Sequence, residues 1–90
     1  MTISVDEATS LARDLVRKIG ESAGEKLSIM EEKAITIEGG WVFFYNTDEF
    51  IRTGDITSAL AGNGPVFVSI NGEIRELPSA VPWEISVKSI

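Results

Sequence analysis

The sequence predicts an α+β fold: an N-terminal amphipathic helix packed on an antiparallel sheet of about four strands, with a short helical insertion between strands two and three. Three observations predict it. Val5, Ala8, Leu11, Ala12, Leu15 and Ile19 recur at the helical period, on one face of the N-terminal segment. From Leu27 onward the apolar residues instead alternate, or gather in short β-branched and aromatic runs. An Asn71-Gly72 pair stands between two such runs, a strong hairpin signal.

Each element has its own justification. Ser4 followed by Glu7 has capping-box spacing, and Gly20 is placed to stop the helix as its C′ residue, so the helix is expected from about Val5 to Ile19. Arg13, Asp14, Arg17 and Lys18 fall on its solvated side. "LSIMEEKAITIE" alternates twice around a charged "EEK", as one bent strand or two short ones. "GGWVFFYN" follows, with four aromatics in its last six residues. In a strand Trp41, Phe43 and Tyr45 face one way and Val42 and Phe44 the other, so both faces are apolar and the strand reads as central. The helix can bury one face; the other needs the long loop, the C-terminal tail or a partner.

"PVFVSI" is the third strand, with Pro65 tolerated at its start. A two-residue loop into "EIREL" would pair Val68 with Arg75. A three-residue loop with a glycine bulge puts Val68 opposite Ile74, and apolar matching favours it. Between strands two and three, Thr47 or Asn46 can cap a helical turn through Arg52 that Gly54 closes. Asp55 can begin another turn, in which Ile56, Ala59 and Leu60 share a face. The tail "PSAVPWEISVKSI" reads as a short helix from Pro82 or as a fifth strand.

At 90 residues the chain is expected to be one domain, 1–90, near the small end of what buries a sufficient core without staples. It has no cysteine, so disulfides and thiolate metal sites are excluded, which fits a reducing compartment. No signal-like segment opens the chain, and no apolar stretch approaches the roughly 20 residues that span a bilayer. A cytoplasmic protein is expected. Eight basic against fourteen acidic side chains give a net charge of −6, which disfavours nucleic acid and anionic membrane and favours a basic partner. Residues 1–20 balance, whereas residues 21–64 carry eight acidic against three basic groups.

Catalysis has little to work with. There is no histidine or cysteine, and S-x-x-K is absent, so no enzyme is expected. Asp48, Glu49 and Asp55 lack the repeated aspartate pattern of a calcium loop and fit helix-start chemistry better, so neither metal nor cofactor is expected. The glycines of "GNGP" fit a tight turn better than a phosphate cradle.

The ordered series "GWVFFYN" (Gly40–Asn46), Gly54, "LAGNGP" (Leu60–Pro65) and "VFVSINGEIREL" (Val66–Leu77) resembles the immunity protein 35 family, or YrhB-type domains. The resemblance covers about residues 27–78, and the preceding helix also fits. The C-terminus departs from the family pattern, with Trp83 and no tyrosine. What the resemblance implies is a small α+β protein of bacterial polymorphic toxin systems that protects its producer by binding a cognate toxin, without catalytic residues. Gly40 and Gly62 would permit turns, while Asn63 and Pro65 would set the approach to the third strand.

The expected function is therefore stoichiometric neutralisation of a cognate, basic toxin. A small chaperone-like or regulatory binding module for several clients is the alternative; one tight partner against many weak ones separates them. Candidate contacts are Glu31, Glu32, Asp48, Glu49 and Asp55 as a charged rim, with Phe50 and Trp83 as aromatic anchors. The same carboxylates also suit capping and solubility. The oligomeric state is left open, a homodimer included.

Overall fold

The computed structural model describes residues 2–60 and 63–89. Helix α1 runs Val5–Ala23. Ser4 is its N-cap: the hydroxyl accepts the Glu7 N–H at 3.1 Å, and the Glu7 carboxylate accepts the Ser4 N–H at 3.2 Å. The far end corrects the reading from sequence. Gly20 lies buried inside the helix because the chain doubles back across it; a Cβ there would stand 2.5 Å from the Glu25 carbonyl oxygen. Gly24, at φ 71°, is the stop. Its N–H bonds to the Glu21 carbonyl and that of Glu25 to the Gly20 carbonyl, a Schellman closure.

Six strands follow: β1 Leu27–Ile29, β2 Ile35–Ile37, β3 Gly40–Phe43, β4 Tyr45–Thr47, β5 Val66–Ser69 and β6 Ile74–Glu76. β2, β3, β5 and β6 form a four-stranded antiparallel sheet in that order, and β1 pairs antiparallel with β4 in a two-stranded ribbon. The segment 27–38 is thus two strands in two sheets, joined through a 3₁₀ turn at Glu31–Lys33. The aromatic strand divides at Phe44, whose carbonyl accepts the Met30 N–H at 2.7 Å.

Alternation along the aromatic strand nevertheless survives the break. Phe43 and Tyr45 join Ala8, Ala12 and Val16 of α1 with Val66 and Val68 in one core, against which Trp41 packs half-buried. Val42, Phe67 and Leu77 form a second core on the opposite face of the sheet, with Ile35, Ile37, Phe44, Trp83 and Val87 around it. Helix α3, Trp83–Ser86, therefore covers the face that α1 leaves. Two thin cores, one on each face of a short sheet, are how this chain buries enough apolar surface. Burial, with the charge of Glu76 nearby, pushes the Tyr45 phenol above its ordinary pKa, so it is held neutral.

The β5–β6 hairpin has the three-residue loop: Val68 stands opposite Ile74, and Gly72 takes φ 88°. Gly40 departs from its expected role as a turn residue. The positive φ belongs to Gly39, at 85°, while Gly40 lies buried in β3 under the Phe67 ring, 2.9 Å from where a Cβ would be. Gly62 lies outside the described residues. Asn63 is described; its side-chain amide donates to the Tyr45 carbonyl at 3.1 Å.

Candidate partner-binding surface

The insertion between β4 and β5 holds helix α2, Asp48–Thr53, and a 3₁₀ turn, Ile56–Ser58. Thr47 is the N-cap of α2, accepting the Phe50 N–H at 3.1 Å, and Gly54 closes it. Asp55 caps the second turn. Its carboxylate accepts both the hydroxyl (2.7 Å) and the N–H (3.0 Å) of Thr57, which together hold its pKa below the ordinary value.

Two side chains clasp the ends of the insertion. Asn46 Oδ1 accepts the Leu60 N–H at 2.6 Å and the Thr47 N–H at 2.8 Å. The Thr47 hydroxyl donates to the Ser58 carbonyl at 2.7 Å. Asp48 anchors the base to β1: its N–H donates to the Lys26 carbonyl, and its carboxylate accepts a short hydrogen bond from the Ser28 hydroxyl. The result is a loop whose ends at residues 46–47 and 58–60 are held together by side-chain hydrogen bonds.

Among its exposed charged and polar residues the loop presents two isoleucines. Ile56 is 81% exposed at its tip, and Ile51 is also exposed. The expectation that Ile56, Ala59 and Leu60 share a face fails. Ala59 is extended (ψ 140°), so the turn ends before a helical face can form, and Ala59 and Leu60 are half-buried while Ile56 points to solvent. Grouped with Ala59 and Leu60 on one apolar face, Ile56 reads from sequence as core and not as a contact.

The other candidate residues fall in three places. Asp48, Glu49, Phe50 and Asp55 belong to the insertion; Glu49 and Asp55 are exposed, Asp48 and Phe50 half-buried. Glu31 and Glu32 lie past the far end of β1. Lys26 meets Asp48 at one end and Met30 meets Phe44 at the other, so strand rise puts roughly 15 Å between Glu31 and the insertion's base. Glu31 is already engaged, 2.7 Å from Arg13 of α1, while Glu32 has no ion pair among the described residues. Trp83 packs half-buried on the second core, on the face opposite α1. It fills a structural place there. Among the described residues no three metal-ligating side chains converge.

Residues 6–87 match the family model described as immunity protein 35, from the first turn of α1 to beyond α3. The chain belongs to the immunity protein 35 family. It is also 42% identical over 55 residues to a protein of Escherichia coli (strain K12) described as uncharacterized protein YrhB. That alignment covers 56% of this chain and 58% of the relative, so the chain spans little more than half of that protein's length. No solved structure matches it significantly. The family's name is that of an immunity protein, whose partner is a protein. Among the described residues no helix is long and apolar enough to cross a membrane.

Proposed function

We propose that this protein is an immunity protein that neutralises a cognate bacterial toxin by binding it stoichiometrically in the cytoplasm of the producing cell. The observation that carries the reading is the family match over residues 6–87, which takes in both cores and the insertion. The clasped insertion supports it as the contact surface. An exposed Ile56 on a loop closed by side-chain hydrogen bonds binds at reduced cost in ordering, and the adjacent Asp55, with the chain's acidic excess, favours a toxin with an apolar pocket near lysine or arginine.

In this reading neutralisation is occlusion. The toxin's working surface is covered, its substrate is kept out, and no bond is made or broken. Titrating the toxin with this protein should therefore abolish activity with a break near one equivalent, and Ile56→Glu should raise the dissociation constant while leaving circular dichroism and melting unchanged. Inactivation of excess toxin by a small fraction of an equivalent would overturn the mechanism. An unchanged affinity for Ile56→Glu would remove the insertion tip as the anchor.

A further inference from the structure

The four-stranded sheet ends at β6, and the backbone of that edge has a defined pattern. Ser69 N–H donates to the Glu73 carbonyl at 2.8 Å, and Leu77 N–H to the Pro65 carbonyl at 2.9 Å. In an antiparallel ladder, residues 73, 75 and 77 therefore bond to β5, and the N–H and C=O groups of Ile74 and Glu76 point away from the sheet. Side chains alternate too. Glu73 and Arg75 share the face of Phe67 and Leu77, whereas Ile74 packs toward the core under α1 and Glu76 lies near Tyr45 on that side.

An unpaired edge of this kind is a template for another strand, and charge usually blunts it. Here the charges alternate in sign along one face, Glu73 negative and Arg75 positive. Both are exposed, and neither enters an ion pair among the described residues. Such a pattern repels many strands but complements its own antiparallel copy.

We propose that β6 pairs with β6 of a second copy of this chain, antiparallel about Ile74, joining two four-stranded sheets edge to edge. Charge selects the register. Copies bonding through Ile74 and Glu76 can be centred on Ile74, Arg75 or Glu76. Centring on Arg75 opposes two arginines, and centring on Glu76 opposes two glutamates, both destabilising. Centring on Ile74 sets Glu73 against Arg75 of the second copy twice, in the pairs where side chains approach most closely. Ile74 then exchanges both its backbone hydrogen bonds with its counterpart. Val81 and Ile85, 39% and 56% exposed, line a groove along this edge with Arg75, Leu77 and Pro78, and the hairpin loop of the second copy comes to lie beside it.

Sedimentation equilibrium over a wide concentration range tests this on the protein alone. The mass should rise with concentration to twice that of the monomer. Arg75→Glu and Glu73→Arg should each weaken association about tenfold or more, and the double swap should restore it. Glu76→Pro removes an outward N–H without touching the β5 ladder, so it should abolish the dimer with melting of the monomer unchanged. A monomer at every concentration overturns the proposal, as does a dimer indifferent to both single reversals. A monomeric protein whose Arg75→Glu variant loses toxin affinity would give this edge to a strand of the toxin, and also overturns it.

Discussion

Trp41 and Phe43 are two residues apart on one strand and face the same core, yet they do different amounts of packing. Phe43 is 1% exposed, between α1 and β5, while Trp41 stays half-buried at the margin of that core. Truncating a fully enclosed aromatic removes its transfer free energy and leaves a void, together roughly 3 to 5 kcal/mol. Phe43→Ala should therefore lose most of a small domain's stability in urea titration, with Trp41→Ala clearly milder; the reverse order would mean that the core is centred elsewhere. The direction of each side chain was legible from strand alternation, but the depth was not. Depth depends on where α1 crosses the sheet, and that is set partly by Gly20, whose missing side chain lets the returning backbone lie across the helix. From sequence Gly20 reads as the helix stop, and only the crossing shows that it is a packing glycine.

The insertion shows which elements local chemistry can reveal. Its caps, Thr47 and Asp55, act on residues two or three positions away and follow from residue type and spacing. Asn46 acts across fourteen residues on Leu60, a contact that no local pattern announces. The same limit hid the split of the aromatic strand between two sheets, because strand pairing is decided by tertiary partners. Asn46→Ala should leave the Leu60 N–H without its acceptor, at a cost of about 1 to 3 kcal/mol for an unsatisfied group. That loss should appear as faster amide exchange throughout residues 48–58, with α1 and the four-stranded sheet unaffected, and as weaker toxin binding because Ile56 is no longer held in place. Asn46→Asp keeps an acceptor oxygen and should recover most of the protection. Equal exchange in Asn46→Ala and the parent would show that the Thr47–Ser58 bond closes the loop unaided.

The molecule as a whole carries −6, and its acidic groups have unequal freedom to meet a partner. Glu31 is paired with Arg13, an exposed contact worth at most about 1 kcal/mol but one that ties α1 to the turn before β2. Asp48 ties the insertion to the Ser28 hydroxyl of β1 and Asp55 holds the N–H and hydroxyl of Thr57, so reversing either would disturb the loop along with the field. The side chains of Glu32 and Glu49 are exposed and enter no hydrogen bond or ion pair among the described residues, so reversing them changes the field with least disturbance to the loop. Each change to lysine adds two positive charges, so Glu32→Lys/Glu49→Lys takes the net charge from −6 to −2. Long-range attraction acts on encounter and is screened over about 10 Å at 0.1 M salt. Association of the double variant with a basic toxin should accordingly slow by roughly tenfold or more at low salt and converge with the parent at high salt, with dissociation nearly unchanged. Ile56→Glu should behave in the opposite sense, speeding dissociation, because an apolar anchor acts after contact is made. If the double variant associates at the parent's rate in low salt, the acidic excess serves solubility and capping, and the toxin is recognised by shape and apolar contact without electrostatic guidance.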